Sequence, residues 1–370
     1  MTSWAASTRD NRTHPGQLGR RWEPRTTPAV DGAARRWAPL GHDAAMTAPP
    51  GPHSPAAPTP PPLPDSLAAL VAVHHGCVRW DELAGCGIGE QAAATLVRRG
   101  ALVRVARGAY VEGRRWAEAP ARERHALLAV AVARTWGPDT AVSHASAAVL
   151  HGLPLLRLPS VVEGSRTRGG QGRRRRAHTV YRGYPGVHPV RCRGVQVVPV
   201  ADAAVGVADR YGLEAGVVVL DAALHAGATT REAVQELVDR CRVHPVHARA
   251  AAVLALADGR SESPGETRTR LLLGRLGIEV EPQVNLVTAD GEWLGRVDLR
   301  VRGERVVVEF DGMVKYRDHG RLAVEDKRRD LAMQRAGHEV VRLVWADLDR
   351  PEAVRQMVAD AVARSRRRCA

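Results

Sequence analysis

The chain has 370 residues, enough for two or three domains, and a formal net charge of +14 with a sequence pI near 10.7. This basic balance favours a polyanionic partner such as nucleic acid, although charge alone does not separate DNA from RNA. The sequence shows no membrane span, no signal-peptide core and no metal-binding or disulfide spacing among its five cysteines, which excludes a membrane or exported protein and predicts a cytoplasmic one.

Residues 1–62 lack any apolar periodicity. They mix Arg, Thr, Gly and Pro and end in the run PPGPHSPAAPTPPPLP. Such a segment buries too little apolar surface to offset the entropy lost on ordering, so it predicts a disordered tail. Met46 stands just before the Pro-rich run, and it is left open whether translation starts there.

Residues 63–118 change to short helices followed by a hairpin. Ser66 is placed to cap a first helix, and the pattern predicts short helices at 79–83 and 89–99, the last stopped by Gly100. The segment LVRVARGAYVE then alternates apolar and polar residues around Arg107-Gly108, as a β-hairpin does. Three helices and a hairpin are the order of a winged helix, a common DNA-binding fold.

Two sets of polar residues in this segment are candidates for DNA contact. Those on the predicted recognition helix are Gln91, Thr95, Arg98 and Arg99, and those at the predicted wing are Arg104 and Arg107. Guanidinium and amide groups hydrogen-bond base edges and phosphates. A winged helix used only for protein contacts or packing stays open as the alternative.

Residues 119–258 predict a mixed α/β module. Helices are expected at 122–135 and 144–151, strands near 160–163, 178–181 and 195–198, and several helices after them. The run RTRGGQGRRRR at 166–176 predicts a mobile loop able to lie along phosphates, or alternatively a solvated loop. Four histidines here lack accompanying metal ligands and are interpreted as structural: His144, His151, His244 and His247.

Residues 259–370 predict an α/β sandwich. Helices are expected at 266–276, 324–336 and 351–364, and strands at 280–287, 296–301, 305–310 and 339–344. Neither this segment nor the rest of the chain contains a dinucleotide-binding, Walker-type or GxSxG motif.

Three carboxylates stand on two of these strands. Asp298 lies on the face opposite Val297 and Leu299, while Glu309 and Asp311 share one face at the end of a Val-rich strand. Like charges this close raise each other's pKa unless a cation neutralises them. The pattern therefore predicts a divalent metal, Mg²⁺ or Mn²⁺, which in a nuclease neutralises the phosphate and activates a water.

The order GRVDLRV, VVVEFDG and AGHEVVRL resembles the PD-(D/E)xK nuclease superfamily, and within it the very-short-patch-repair-endonuclease-like proteins, over residues 261–350. The resemblance implies a restriction-endonuclease-like fold in which Asp298 and Glu309 are catalytic metal ligands, joined by Glu266 and Asp311. Glu266 also has a simpler interpretation, a capping box with Ser263.

The sequence departs from that superfamily where its motif has Lys, because Asp311 stands there. The only two lysines of the chain, Lys315 and Lys327, lie just downstream and are the candidates to supply the catalytic cation, with His319 and Arg328 as further ones. Whether the domain is catalytic stays open.

The segment WDELAGCGIGEQAAATLVRRGALVRVARGAYV, followed by VSHASAAVLHGLP, resembles the winged-helix antitoxins of the AbiEi type IV family over residues 65–155. The resemblance implies DNA binding at a promoter and neutralisation of a cognate toxin.

Two hypotheses follow. The first is a metal-dependent DNA endonuclease positioned on DNA by a winged helix, acting in defence or repair. The alternative is an AbiEi-type antitoxin and transcriptional repressor whose nuclease fold is not catalytic. RNA as the nucleic acid is not excluded by the sequence.

Overall fold

In the computed structural model the described residues are 61–288, 290–312 and 320–369, and the side chains of 320–327 and of Cys369 are left out. The tail predicted at 1–62 lies outside them apart from its last two residues. Among the helices of these residues, none combines the length and apolar character needed to cross a membrane.

The N-terminal unit is a small three-stranded sheet with helices against it. Its elements are α1 Asp65–Val73, β1 Cys77–Arg79, α2 Trp80–Gly85, α3 Glu90–Arg98, β2 Leu102–Ala106, β3 Ala109–Glu112 and α4 Gly113–Glu118. The strands run in the order β1-β3-β2, and both pairs are antiparallel. Leu67, Leu83 and Leu102 are fully buried between the helices and the sheet, so apolar burial holds α1, α2 and α3 in place.

The predicted helices and hairpin of this unit are present, whereas β1 and α4 were not predicted. The cap predicted at Ser66 is wrong, because α1 already begins at Asp65 and Pro64 is its N-cap. β1 has three residues, which is too short for an alternation of apolar and polar side chains to show in the sequence. It begins directly after Gly76, whose φ of +89° allows the chain to turn from α1 into the sheet.

The middle module contains a mixed six-stranded sheet. Its elements are α5 Ala121–Ala133, β4 Thr140–Val142, α6 His144–Leu150, β5 Val162–Arg166, β6 Arg173–Arg174, β7 His178–Tyr181, β8 Val190–Cys192, β9 Val195–Val197, α7 Val200–Tyr211, α8 Leu213–His225, α9 Arg231–Arg240 and α10 His247–Leu256. The strand order is β6-β7-β5-β4-β9-β8. Helices α7 to α10 bury mostly Ala, Val and Leu, consistent with the scarcity of aromatic residues in this chain.

One expectation for the middle module is corrected. Residues 166–176 were predicted as a mobile loop, but β6 lies within them and pairs antiparallel with β7, Arg173 opposite Val180 and Arg174 opposite Thr179. A sequence of consecutive arginines carries no alternation, so the strand left no signal in the sequence. β4 and β8 were not predicted for the same reason as β1, because each has three residues.

The C-terminal module is a four-stranded sheet with helices on both faces. Its elements are α11 Pro264–Arg275, β10 Val280–Val287, β11 Trp293–Val301, β12 Val306–Phe310, α12 Gly320–Arg335, β13 Glu339–Leu343 and α13 Pro351–Cys369. The order is β10-β11-β12-β13, with only the β12–β13 pair parallel. Leu272, Val308 and Val354 share one core, and Val307 and Met333 share another. The predicted sequence of helices and strands in this module is confirmed.

Helix α11 is anchored to the middle module by a buried carboxylate. Asp221 on α8 is 1% exposed and accepts hydrogen bonds from Asp258 N at 2.7 Å, Thr267 Oγ1 at 2.9 Å and Arg270 Nη2 at 2.7 Å. A buried carboxylate with three donors is satisfied, and removing it would leave Arg270 without its charge partner. The anchor fixes the N-terminal end of α11, where Glu266 lies.

Candidate nucleic-acid interface and acidic cluster

Helix α3 presents most of the predicted recognition residues to solvent. Ala93 is buried and turns the helix toward the core, so Gln91 and Arg98, which lie away from it, are exposed. Thr95 is half-buried: its hydroxyl donates to the Gln91 carbonyl oxygen at 2.9 Å and accepts from Arg98 Nη2 at 2.8 Å. Three of the predicted residues are therefore joined along one face of α3.

The β2–β3 hairpin carries the other predicted pair. Ala106 pairs with Ala109, and Gly108 between them has a φ of +72°, which the tight turn requires. Arg107 at this turn and Arg104 on β2 are exposed. Helix α3 and strand β2 share one apolar core, so the hairpin lies beside the helix.

The four arginines of the α3 end and the hairpin differ from the other arginines of this unit in their ion pairing. Within the described residues, no carboxylate forms an ion pair with Arg98, Arg99, Arg104 or Arg107. The neighbouring arginines are different: Arg79 pairs with Asp81, and Arg115 with Glu112 at 3.2 Å. Exposed cations without a carboxylate beside them keep their field available for a polyanion.

Strands β11 and β12 bring two of the predicted acids together. Glu309 is 7% exposed, and Asp298 is half-buried on the neighbouring strand. Asp298 Oδ2 accepts a hydrogen bond from Phe310 N at 2.9 Å, which ties its carboxylate to the backbone beside Glu309. The pairing of Asp298 and Glu309 predicted from the strand pattern is thus present.

Two arginines that the sequence argument missed neutralise this cluster. Arg329 Nη2 on α12 donates to Glu309 Oε1 at 2.7 Å, and Arg342 Nη2 on β13 lies 3.2 Å from Glu309 Oε2. Burial raises the pKa of Glu309 and Asp298 adds to the rise, while Arg329 and Arg342 oppose it. Arg342 stands directly opposite Glu309 in the parallel register, a signal visible only once β12 and β13 are paired.

Glu266 lies apart from this ion-pair network. Its Oε2 accepts from Glu262 N at 2.9 Å and from Gln283 Nε2 at 2.8 Å. Its own backbone N donates to Ser263 Oγ at 3.2 Å, the helix cap that the sequence predicts. Burial raises the pKa of Glu266, and no cation is among the main causes of the shift. Gln283 is another residue that sequence reasoning missed.

The remaining predicted site residues lie before, within or just after residues 313–319, which the structure does not describe. Asp311 is half-buried and its backbone N donates to the Leu343 carbonyl oxygen at 2.8 Å. Lys315 and His319 lie outside the described residues, as does the side chain of Lys327. Arg328 is exposed.

The donor set for a divalent metal is not assembled among the residues that the structure describes. Within them, no three His, Cys, Asp or Glu side chains are grouped so as to hold a metal ion. Each oxygen of Glu309 contacts an arginine, so Arg329 and Arg342 already neutralise this carboxylate. The metal site stays a prediction.

The buried histidines of the middle module make internal hydrogen bonds. His144 Nδ1 lies 2.7 Å from Ser143 Oγ, and His151 Nε2 lies 2.8 Å from the Val198 carbonyl oxygen. Burial lowers the pKa of His144 to about 3, with Arg210 adding to the shift. His144 is therefore neutral at physiological pH and serves packing and hydrogen bonding.

One comparison with known proteins finds a match. Residues 65–113 match the family model described as transcriptional regulator, AbiEi antitoxin. The match covers α1 through β3 and includes all six residues predicted to contact DNA. No curated protein matches the chain.

Proposed function

We propose that this protein is a DNA-binding transcriptional regulator of the AbiEi antitoxin type, in which residues 65–113 form a winged helix. The observation that carries the proposal is the coincidence of the family match with exposed arginines on α3 and on the β2–β3 hairpin, to which no carboxylate in the described part of the chain is paired. Such a surface supports a polyanionic ligand outside the molecule.

The proposal assigns a role to each element. Helix α3 enters the major groove, where Gln91, Arg98 and Arg99 reach base edges and phosphates. Arg104 and Arg107 on the hairpin contact the phosphate backbone beside it. Gln91 and Arg98 suit this role because both are exposed, and the Thr95 hydroxyl positions the Arg98 guanidinium by accepting a hydrogen bond from its Nη2.

The alternative is that the N-terminal unit serves only packing. The face of this unit that contacts the middle module argues against it. Cys77, Ala109 and Val111 of the small sheet share a core with Leu127 and Val130 of α5. The contacts with the middle module use the sheet and, through the ion pair of Glu82 with Arg134, helix α2, and they leave Gln91 and Arg98 on α3 open to solvent.

The proposal is tested by footprinting the full chain on the DNA that lies upstream of its own coding sequence. We expect a protected site and repression of a reporter driven by that DNA, both lost in Arg98→Glu, since charge reversal repels the phosphates. A single-stranded RNA of the same sequence serves as competitor. Absence of a protected site, or tighter binding to the RNA, would overturn the proposal.

A toxin partner is part of this proposal. An antitoxin neutralises a toxin, and the candidate here is the product of an adjacent gene. Co-expression of that product with the full chain should relieve its toxicity, and growth arrest that persists would remove the antitoxin role while leaving DNA binding intact.

Metal-dependent DNA cleavage is a second proposal. The observation that favours it is the acid pair Asp298 and Glu309 beside Arg329, an arrangement that would supply two metal ligands and a cation. Nicking of supercoiled plasmid with Mg²⁺ or Mn²⁺, absent in Asp298→Asn, would support it. Wild-type protein that binds plasmid without nicking it under both metals would refute it.

A further inference from the structure

The hairpin formed by β6 and β7 carries four consecutive arginines, Arg173 to Arg176. β6 is an outer strand of the six-stranded sheet and pairs with β7. The backbone N of Arg175 donates to the His178 carbonyl oxygen at 2.8 Å, which closes the turn between the strands. These arginines therefore stand on a hydrogen-bonded hairpin, and we call residues 173–181 the arginine hairpin.

Glycines fix the path of the chain into this hairpin. A Cβ at Gly172 would lie 2.7 Å from the Val180 carbonyl oxygen, and Gly169 and Gly170 have φ of +85° and +100°. A side chain at any of these three positions would be strained or would collide with the neighbouring strand. The approach of Gly172 to β7 thus holds Arg173 at the start of the paired strand.

The charge of the arginine hairpin is unbalanced. Every residue from 168 to 176 is exposed. Within the described residues no carboxylate pairs with Arg173, Arg174, Arg175 or Arg176, whereas Arg168, before the hairpin, pairs with Asp139 at 3.5 Å. The imidazole of His178 senses this charge. Burial lowers the pKa of His178, and the positive charges of Arg173 and Arg175 lower it further.

Like charges gathered this closely cost stability unless an anion outside the protein neutralises them. Arg173 and Arg174 lie in β6, where alternation turns them to opposite faces, and Arg175 and Arg176 lie in the turn, so the four arginines are gathered at the end of the hairpin. A single carboxylate would engage one of them, whereas a polymer with evenly spaced phosphates can engage several at once.

We propose that the arginine hairpin is a second, sequence-independent DNA-binding surface that contacts the phosphates of duplex DNA. The proposal rests on the proposed function only in taking DNA as the ligand. Duplex is favoured over single-stranded nucleic acid because none of the exposed residues 168–176 is aromatic. The aromatic residues of the hairpin, His178 and Tyr181, are half-buried, and the Tyr181 hydroxyl donates to Glu163 Oε1 at 3.3 Å. The arginines act as phosphate contacts and carry no sequence preference.

The test measures how the affinity of the full chain for a duplex of scrambled sequence falls with salt. The variant replaces Arg173, Arg174, Arg175 and Arg176 by Gln. Four lost phosphate contacts should make the slope of log affinity against log salt shallower by about 3 to 4. A second variant with Lys at the four positions should restore the slope, because a phosphate contact needs the charge more than the planar fork.

A matched control removes the same charge elsewhere. Four exposed arginines are each paired with a nearby carboxylate, and the control replaces them by Gln: Arg114, Arg242, Arg260 and Arg355. We expect its slope to change by less than about 1, since paired cations release few counterions. Equal slopes in the two Gln variants would overturn the proposal, as would poly-glutamate or single-stranded RNA competing more strongly than duplex DNA.

The failure of this proposal is distinguishable from that of the proposed function. The Arg98→Glu variant addresses the protected upstream site, and the hairpin variant addresses the scrambled duplex. Loss of the protected site in Arg98→Glu with an unchanged slope in the hairpin variant would retain the regulator and reject the second surface. The reverse result would retain the second surface alone.

Discussion

The two regions that the sequence singles out differ in where their charges find partners. Arg98, Arg99, Arg104 and Arg107 project from residues 65–113 without a described carboxylate beside them. Glu309, in contrast, is paired inside the fold: Arg329 contacts one of its carboxylate oxygens and Arg342 contacts the other.

This difference indicates that the first group of charges serves ligand binding and the second serves the stability of the fold. Charges without an internal partner contribute nothing to folding through ion pairs, and their exposure makes them available to a ligand. Charges paired inside the fold stabilise it only as a set, because removing one member leaves the others uncompensated. The N-terminal arginines should therefore govern binding, whereas Glu309 should govern stability.

The largest expected effect is on Glu309→Ala. Removing this buried carboxylate leaves Arg329 without this carboxylate partner and leaves Arg342 with Asp330, so the free energy of unfolding should fall by about 3 kcal/mol. Urea unfolding followed by circular dichroism measures the loss. Affinity for the upstream DNA should stay at the wild-type value.

The control for Glu309→Ala is Glu304→Ala, which breaks an ion pair with the exposed Arg366. Its unfolding curve should overlay that of the wild type, since exposed pairs contribute little. A Glu309→Ala protein as stable as wild type, or one that loses DNA affinity, would break the contrast between the two regions.

The next largest effect is expected for Arg98→Ala combined with Arg99→Ala. Each specific base contact by Arg contributes about 1 to 3 kcal/mol, so losing two should lower affinity for the upstream site by about 30-fold or more. Fluorescence anisotropy with labelled DNA measures it. The melting temperature should not change, because neither side chain is buried or ion-paired within the described residues.

Arg114→Ala combined with Arg242→Ala removes the same charge from exposed, locally paired positions and serves as the control. An equal loss of affinity in the control would mean that net charge, and not α3, drives binding.

Local pattern was sufficient to predict much of the fold. Strand β10 was predicted with its observed bounds, and the acid pair Asp298 and Glu309 followed from alternation on two strands. The bounds of β10 and the acid pair could both be predicted because the alternation of apolar and polar residues along each strand is visible in the local sequence. The cap of α11 by Ser263 is local in the same way, since its partner is the backbone of Glu266.

What could not be predicted depends on pairing between distant segments. Arg342 meets Glu309 because β12 and β13 are parallel and in that register, and Arg329 reaches it from a helix on the face of the sheet. Strands such as β1 and β6 are held by their neighbours and are too short for a pattern of their own. The sequence argument placed the catalytic cation at Lys315 or Lys327. Within the described residues, the cations that contact Glu309 are Arg329 and Arg342.

A smaller effect is expected at the hairpin of the N-terminal unit. Replacing Arg104 and Arg107 by Gln removes two phosphate contacts, so the salt slope should become shallower by about 2 and affinity should fall several-fold. The loss should be equal for the upstream site and for a scrambled duplex, measured by anisotropy on both. A loss confined to the upstream site would instead place these arginines on base edges.

The smallest effect is expected for Glu266→Gln. It is a change in the free energy of unfolding, and its size depends on pH. Burial raises the pKa of Glu266 in the folded protein above its value of 4.5 in the unfolded chain. Between these two values the folded state binds the proton more strongly, so wild-type stability falls as pH rises through that window. Gln keeps an oxygen acceptor for Glu262 N and lacks the titratable group, so the variant should not show this fall.

The comparison is therefore the difference in unfolding free energy between the two proteins across pH. At neutral pH the variant should match or exceed wild type by less than about 1 kcal/mol, because one buried charge is removed and one amide is introduced beside Gln283. As pH falls below the folded pKa, the wild type should recover this difference. A variant that is less stable than wild type at neutral pH, and only when Mg²⁺ is present, would contradict this expectation and indicate that Glu266 binds a metal in the wild type.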